Sequence, residues 1–456
     1  MKVPLLLPTV CLILGIVAAP LVTVYWPLLL AFAVCVLLTI ALYRWETCQS
    51  LGILVCCFLF GMLIGQRQDL PSKMGWEEAV VFSEPTEKPK TVEVMLLLPD
   101  VDCQVRCYLW KDERSRQVHL GSSLLLKDAT DGFVRSSDWR FGGDGIDKLS
   151  KLERTRLWFL IYRHRLLGRY RSLQMDDEQY AVLAAMTLGD KSALTKELRE
   201  TYSVTGASHI LALSGLHLGI IYFLLYRLTL GRRRFLLSQV IIILSLWAFA
   251  FLTGLSVSVV RSATMISIYA LFAVGGRHRS SVNLLCFADI VILLLNPSSL
   301  YDIGFQLSFA AVLSILLLMP LMEASFPENY FLSHRIQRWI FNLLGVSLAA
   351  QIGVAPLIAY HFGRFSTYFL LTNLIVIPAA TIILYGALLT LIFPPLGSAL
   401  LWVVETLNKA LGWVSQLPCS SIDGLHPSVL QVCLVYLSFF CLYLAARRLM
   451  RVAPVT

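Results

Sequence analysis

Long apolar runs at both ends of the chain, separated by a polar stretch at residues 66–204, restrict the fold more than any other feature. The 456 residues are 57% hydrophobic and 15% charged, with a mean hydropathy of +0.71. Soluble domains carry about 25% charged residues. A bilayer core about 30 Å thick needs roughly 20 apolar residues per helix. The sequence therefore predicts a polytopic α-helical membrane protein whose membrane helices are interrupted by a water-soluble insert.

The apolar runs supply about 11–12 candidate spans, and basic residues concentrate in alternate connections between them. These basic positions are Lys2, Arg44, the run at 232–234, Arg277 with Arg279, Arg335 with Arg338, and the tail at 447–456. Because basic loops stay on the cytoplasmic side, we expect both termini in the cytoplasm and the insert outside. The candidate spans are residues 3–20, 21–43, 50–65, 207–229, 235–252, 257–274, 282–296, 303–322, 338–360, 366–392, 397–416 and 428–446.

The span at 397–416 is the weakest of these, because Glu405 and Lys409 lie near its middle at i,i+4 spacing. They can neutralise one another on one helix face. The segment either crosses, or it lies flat or re-enters. If this segment alone failed to cross, the C-terminus would fall on the extracytoplasmic side, against its basic tail.

The insert divides into two parts. Residues 66–150 contain short β-rich runs separated by Pro, Asp, Gly and charged clusters, which is typical of a small all-β unit, and five strands suit a small barrel. Residues 151–204 have a helical pattern, with Asp176–Glu178 placed for a helix N-terminus, Thr195 for the cap of the next helix, and a Gly-Asp turn at 189–190. The predicted domains are thus 1–65, 66–150, 151–204, 205–446 and the tail 447–456.

Residues 151–171 read as a basic amphipathic helix at an interface. Aromatic and aliphatic residues are interleaved with six arginines. Docking on anionic lipid headgroups is one interpretation, and guiding a polyanion towards a pore is the other. The arginines are Arg154, Arg156, Arg163, Arg165, Arg169 and Arg171.

The apolar segment HILALSGLHLGI at 209–220 contains two histidines and a Ser-Gly pair, and it resembles the signature of the ComEC family of DNA-uptake competence proteins. Four further stretches are similar to the same family in the same order. They are LGDKSAL from 188, TGLSVSVVRSATM from 253, NPSSLYDIGFQLSFAAV from 296, and SLAAQIGVAPL with LTNLIVIP between 347 and 378.

This resemblance implies a channel that carries single-stranded DNA inward across the bacterial cytoplasmic (inner) membrane during natural transformation. It implies an OB-like extracytoplasmic domain, and longer members add a metallo-β-lactamase-like nuclease. The chain has no HxHxDH ligand run and no GxxxxGK[ST] loop. We therefore expect a non-enzymatic subunit without cofactor or metal, which works beside membrane lipids and separate DNA-receptor, nuclease and motor ATPase proteins.

DNA binding by the β-rich unit is left open, because residues 66–150 hold 12 basic and 15 acidic residues, a net charge of −3. A DNA-binding OB unit normally offers a positive groove. A transporter of another anionic solute or lipid is an alternative function, since polar groups at mid-membrane suit it equally. A membrane scaffold for uptake partners is a third.

Within 207–229, predicted as one span, Gly215 and Gly219 form a GxxxG pair that would let another backbone approach closely around His217. His209 and His217 are eight residues apart, about 80° round a helix, so both can face one cavity without forming a helical metal site. The Ser214 hydroxyl either bonds a backbone carbonyl or lines the conduit together with His217.

Arg261 stands inside an apolar span, where it either snorkels to the surface or contacts a phosphate in the pore. Asp289 lies deeper in another span and could be its counter-ion. Gln306, Gln351 and Asn373 place amides at membrane depth, which suit helix-to-helix hydrogen bonds or pore lining.

Two cysteines of the β-rich unit and one of a loop predicted outside could form a disulfide. Cys103 and Cys107 lie about 13 Å apart along one extended strand, too far to bridge each other. Either could pair with Cys419, or all could remain free thiols.

Overall fold

The computed structural model describes residues 4–22, 25–66, 76–99, 103–127, 132–143, 145–173, 175–229, 235–274, 281–326 and 334–449. Several basic positions used for the orientation prediction therefore lie outside the described residues. These are Lys2, residues 232–234, Arg277, Arg279, the side chain of Arg335, and the tail from residue 450.

Three N-terminal helices open the chain: α1 (Leu6–Ala18), α2 (Tyr25–Ala41) and α3 (Glu46–Ile64). Helices α1 and α3 cross in close backbone contact at Gly15 and Gly61. A Cβ atom at Gly15 would lie 2.0 Å from the Phe58 carbonyl oxygen, and one at Gly61 would lie 2.3 Å from the Leu12 carbonyl oxygen. Small residues therefore hold these two helices together.

Residues 76–141 form the β-unit, one sheet of seven strands rather than the predicted five. The last of the five predicted β-rich runs, at 132–141, divides into two strands of three residues each, β6 and β7. The two-residue β2 is too short for alternation of polar and apolar residues to reveal it. The strands are β1 (Trp76–Val81), β2 (Thr86–Glu87), β3 (Thr91–Leu98), β4 (Cys103–Trp110), β5 (Ser123–Lys127), β6 (Gly132–Val134) and β7 (Trp139–Phe141).

The strand order is β6-β4-β3-β1-β5-β7, with β2 paired to β3 beside this path. Among the described residues no pairing joins β6 to β7, so the OB-like barrel stays a prediction. One face of the sheet encloses an apolar core that includes Trp139. The other face packs through Val80 and Leu97 onto a long helix that follows it.

That helix is α5 (Lys151–Arg171), and it follows the short α4 (Gly145–Lys148). Next come α6 (Asp177–Leu188) and α7 (Lys196–Val204). The predicted helix signals are confirmed: Asp176 occupies the N-cap of α6, the Thr195 hydroxyl accepts from the Leu198 N–H at 3.1 Å, and Gly189 ends α6 with φ +73°. Because α6 is buried along most of its length, it forms the centre of the largest apolar core.

The C-terminal half is helical: α8 (Ser208–Leu211), α9 (Gly215–Leu228), α10 (Phe235–Leu252), α11 (Val257–Val274), α12 (Ser281–Leu295), α13 (Ile303–Glu323), α14 (Arg335–Phe362), α15 (Phe369–Thr390), α16 (Gly397–Ser415) and α17 (Val429–Leu449). In the described part of the chain, six helices are long and apolar enough to cross a membrane, and five shorter ones are apolar. The predicted fold class is confirmed: a multi-pass helical membrane protein with a β-rich insert.

A short ribbon joins the two ends of the segment that contains α15 and α16. Strands β8 (Arg364–Ser366) and β9 (Ser421–Asp423) pair antiparallel, so α15 leaves this ribbon and α16 returns to it. Arg364 reinforces the ribbon through ion pairs with Asp423 and, at 2.7 Å, with Glu200 beyond it on α7. Helices α15 and α16 thus form a hairpin with a fixed base.

Candidate functional site

The segment predicted as one span at 207–229 is broken in the structure. Helix α8 ends at Leu211 and α9 begins at Gly215, with Ser214 in an extended conformation between them. The predicted 80° relation between His209 and His217 therefore does not apply, because the two residues lie on different helices. Only three residues separate the two helices, so both histidines lie near the break.

His217 holds the start of α9. Its Nδ1 accepts the backbone N–H of Ser214 at 3.2 Å, and the Ser214 hydroxyl lies 3.2 Å from the same nitrogen. The Ser214 hydroxyl thus contacts a ring nitrogen, rather than the backbone carbonyl that was one of its two predicted roles. Since Nδ1 accepts from the backbone, the neutral ring carries its proton on Nε2. His217 is 1% exposed, and its Nε2 has no hydrogen-bond partner, so a buried donor is left unused.

The GxxxG pair approaches another helix closely at Gly215, beside Ser262 of α11, but not at Gly219, so the predicted close approach is present at one position of the pair. A Cβ atom at Gly219 would meet no atom within 4 Å, and one at Gly215 would meet only the Ser262 side chain. Both glycines are exposed on one face of α9. His209 is also exposed, with its Nδ1 3.0 Å from the Gly206 carbonyl oxygen. Open space therefore borders the helix break.

Arg261, at the start of α11, is 3% exposed, so it does not snorkel to the surface. Its Nη1 donates to Asp302 Oδ1 at 3.3 Å, and its Nη2 donates to the Gly304 carbonyl oxygen at 2.7 Å. The counter-ion is thus Asp302 rather than Asp289, which does not reach ion-pair distance. Sequence reasoning missed Asp302, although an acidic residue directly before an apolar helix is an N-cap signal.

Asp289, on α12, is 3% exposed, and its Oδ2 has no hydrogen-bond partner. The structure therefore brings two of the predicted residues, Arg261 and Asp289, into one buried polar region, with a third charged group, Asp302, at its edge. Arg261 keeps one donor, Nε, without a partner.

The predicted amides have different surroundings. Gln306 links helices: its Oε1 lies 3.1 Å from Nε2 of His361 on α14, and its Nε2 donates to the Leu300 carbonyl oxygen at 3.0 Å. Gln351 is partly buried on α14. On α15, the Asn373 Oδ1 is buried without a partner, as is the hydroxyl of the neighbouring Thr372. His361 and Thr372 were not predicted, because lone polar residues inside long apolar runs carry no spacing signal.

The predicted basic helix is α5, and its arginines divide between two faces. Arg154, Arg165, Arg169 and Arg171 are exposed. Arg156 instead lies over the Phe82 ring and donates to the Gly254 carbonyl oxygen at 3.1 Å, and burial lowers its pKa. Arg163 points to the same side, with its Nε buried. Trp158 and Tyr162 stack on each other on the outward face, 5.9 Å between ring centroids.

The predicted disulfide is not formed between Cys107 and Cys419. Cys107 is fully buried in the core of the β-unit, whereas Cys419 is an exposed free thiol before β9. The side chain of Cys103 lies outside the described residues. Within the described part of the chain, no three His, Cys, Asp or Glu side chains cluster as metal ligands would.

A sequence model of the family described as "Competence protein" matches residues 186–449. The chain is 27% identical over 323 residues to ComE operon protein 3 of Bacillus subtilis (strain 168), covering 68% of this chain and 40% of that protein. It is 26% identical over 222 residues to Recombination protein 2 of Haemophilus influenzae, covering 46% and 28% respectively. The chain thus spans less than half the length of these curated relatives. No solved structure matches it.

Proposed function

Because this chain belongs to the competence protein family, we propose that its membrane helices form a conduit that carries single-stranded DNA across the bacterial cytoplasmic membrane during natural transformation. The observation that carries the proposal is the break between α8 and α9. A helix interrupted among apolar helices is tolerated at membrane depth only where protein or a water-filled cavity satisfies its backbone groups. Gly215 and Gly219 are exposed on one face of α9, and the proposal takes this face as a wall of the cavity.

The groups at the break suit a passing phosphodiester. Helix α9 points its N-terminus at the break, and a helix N-terminus carries partial positive charge. The unused Nε2–H of His217 adds a donor. Exposed Gly215 leaves room for a chain to pass beside the backbone. In this proposal Arg261 does not contact the DNA. Its ion pair with Asp302 fixes α11 against α13, and these two helices form the entrance, or mouth, of the conduit.

The exposed arginines of α5 offer a route towards the mouth, since Arg156 on the same helix contacts Gly254, directly before α11. In this proposal the insert faces outward. A separate receptor delivers the DNA, and separate nuclease and motor proteins supply strand separation and force. The chain itself contributes passage rather than chemistry.

The conduit is tested with a matched pair of glycine variants. At both Gly219 and Gly412 an added Cβ meets nothing within 4 Å, so the fold tolerates a side chain at either position. We expect Gly219→Leu to reduce transformation at least tenfold with normal protein accumulation, and Gly412→Leu to leave it unchanged. DNA uptake into the envelope is scored separately from arrival in the cytoplasm. Normal cytoplasmic arrival with Gly219→Leu would contradict a path along α9.

Deletion of the whole gene separates the conduit from the alternatives. A DNA conduit predicts that labelled DNA still enters the envelope but does not reach the cytoplasm. A scaffold predicts loss of both steps together. A transporter of another anionic solute predicts that both steps persist.

A further inference from the structure

The α15–α16 hairpin has a base and a tip, and both can be located relative to the β-unit. The base is the ribbon of β8 and β9. The tip is the turn at Pro394–Leu396 between the two helices. Helix α15 has 22 residues, so base and tip are about 33 Å apart if it is straight. That length equals a bilayer crossing, and α15 is apolar enough for one. Composition alone therefore suggests two crossings.

Positions along helix α5 give the distance between the β-unit and the hairpin tip, because the middle of α5 contacts the β-unit. His164 Nδ1 lies 3.0 Å from Glu84 Oε1 in the turn after β1. Leu157 and Leu160 pack in the same core as Val80 on the sheet. The outward side of α5 carries exposed arginines. This helix and the sheet beside it thus lie in water or at the membrane surface.

The same helix contacts the tip of the hairpin. The Tyr170 hydroxyl donates to the Ala387 carbonyl oxygen at 3.4 Å, and Leu173 packs against Gly397, the first residue of α16. Tyr170 is six residues beyond His164, which is about 9 Å along a helix, and Leu173 is about 14 Å beyond it. A hydrocarbon core about 30 Å thick does not fit between the β-unit and the tip.

We infer that the α15–α16 hairpin does not cross the membrane: it enters and leaves on the same side as the β-unit, where its apolar tip inserts into the adjacent lipid leaflet. The charged pair in the middle of α16 agrees, because the side chains of Glu405 and Lys409 are 46% and 76% exposed. Exposure to lipid at mid-membrane would be costly for both. The basic end of α17, Arg447–Arg448, favours the cytoplasm, so the start of α17 and the hairpin base that precedes it lie on the opposite side, where the β-unit is predicted.

The exposed side chains of the tip identify acyl chains as the partner. Large apolar residues are concentrated there, at exposures between 44% and 70%, and they sit beside the level at which α5 meets water. An apolar surface of this kind at a membrane boundary is covered by lipid. The residues are Leu388, Leu389, Ile392, Phe393, Leu396 and Trp402.

The sidedness is tested on the unmodified chain with a membrane-impermeant amine reagent. Lys90 on the β-unit is exposed and serves as the reference for Lys409. In whole spheroplasts and in inverted vesicles, we expect both lysines to be modified from the same side, as read by mass spectrometry of peptides. Modification of Lys409 from the opposite side, or from neither, would overturn the inference.

Single cysteines in a cysteine-free background give a second reading nearer the tip. Thr406→Cys, exposed on α16 beyond the tip, should react with an impermeant maleimide from the same side as Ser137→Cys on the β-unit, and Arg448→Cys from the other side. Lipid contact is read with a photo-reactive phenylalanine analogue at Phe393, which should cross-link phospholipid. If the analogue cross-linked only to other segments of the chain, the inference that the tip inserts into lipid would be wrong. None of these readouts depends on DNA transport, so they stand or fall apart from the proposed conduit.

Discussion

Arg261 and Asp302 form an ion pair at 3.3 Å, and the same carboxylate oxygen accepts the backbone N–H of Phe305 at 2.7 Å. One oxygen thus holds the guanidinium of α11 and caps α13. The Arg261 side chain is 4% exposed and that of Asp302 is 43% exposed. The guanidinium is therefore the partner that cannot regain water when the pair is lost.

Asp302→Asn should weaken the fold, because Asn keeps the N-cap but removes the charge opposite a buried guanidinium. We expect a loss of up to about 3 kcal/mol in the apparent free energy of unfolding, the lower part of the range for breaking a buried pair. Thermal unfolding in detergent measures it. Asp177→Asn, at an exposed position in the first turn of α6, is the control and should cost no more than about 0.5 kcal/mol, because it loses only a screened interaction with the helix dipole. The double variant Arg261→Met with Asp302→Asn should recover part of the loss, and no recovery would argue against the pair.

Ser214→Ala and His217→Ala should each destabilise the start of α9. Both remove a contact at a helix N-cap, which costs about 1 kcal/mol. His217→Gln offers an amide oxygen to the Ser214 N–H, so it should retain more stability than His217→Ala. Comparing the unfolding midpoint of each variant with its transformation frequency distinguishes a loss of helix-cap stability from a loss of DNA passage. If all three variants were as stable as the unmodified protein, the His217 ring would not stabilise the start of α9.

Gly61→Val should prevent accumulation of folded protein. Its Cβ would lie 2.3 Å from the Leu12 carbonyl oxygen, which is backbone and cannot rotate away. Overpacking of this kind costs about 1–3 kcal/mol or more. Membrane-fraction immunoblots and size-exclusion profiles report it. Gly219→Ala, which meets open space, should accumulate normally, and a normal profile for Gly61→Val would show that α1 and α3 can separate.

Thr195→Ala should lower the apparent free energy of unfolding by about 1 kcal/mol, because the Leu198 N–H loses its acceptor. Thr155→Ala is the matched control: its exposed hydroxyl only returns to the Lys151 carbonyl oxygen within α5. That change should stay within about 0.5 kcal/mol of the unmodified protein. Chemical denaturation in detergent compares the two.

Local chemistry explains what the sequence could predict. Apolar length identified the membrane helices, and capping residues such as Thr195 and Asp176 marked helix starts, because both signals act over a few residues. The family resemblance pointed to the 209–220 segment, but periodicity there suggested one continuous helix. Ser214 followed by Gly215 is a cap-like pair, and it was the available signal for the break.

The remaining features of the site depend on contacts between residues that are far apart in the sequence, and spacing rules cannot predict such contacts. Arg261 finds its partner 41 residues away, and Gln306 meets His361 across 55 residues. Gly215 and Gly219 matched a packing pattern whose outcome depends on which helix lies opposite. Gly61 and Gly65 have the same GxxxG spacing, and both pack closely against α1. Whether the 397–416 segment crosses the membrane could not be predicted for the same reason, because the answer depends on its contacts with α5.

The ribbon at residues 364–366 and 421–423 anchors the base of the hairpin and would be the pivot of any swing of its two helices. Its strands are three residues long, and Arg364 ties them to α7 by an ion pair, whereas the far end is held by apolar packing of Ala387 and Leu400 in the core around α6. A swing of 10° about this pivot would carry the far end through an arc of about 6 Å, given a lever of about 33 Å. Because Tyr385 on the same lever bonds the Ile220 carbonyl oxygen of α9 at 2.9 Å, such a swing would pull on the helix that borders the break.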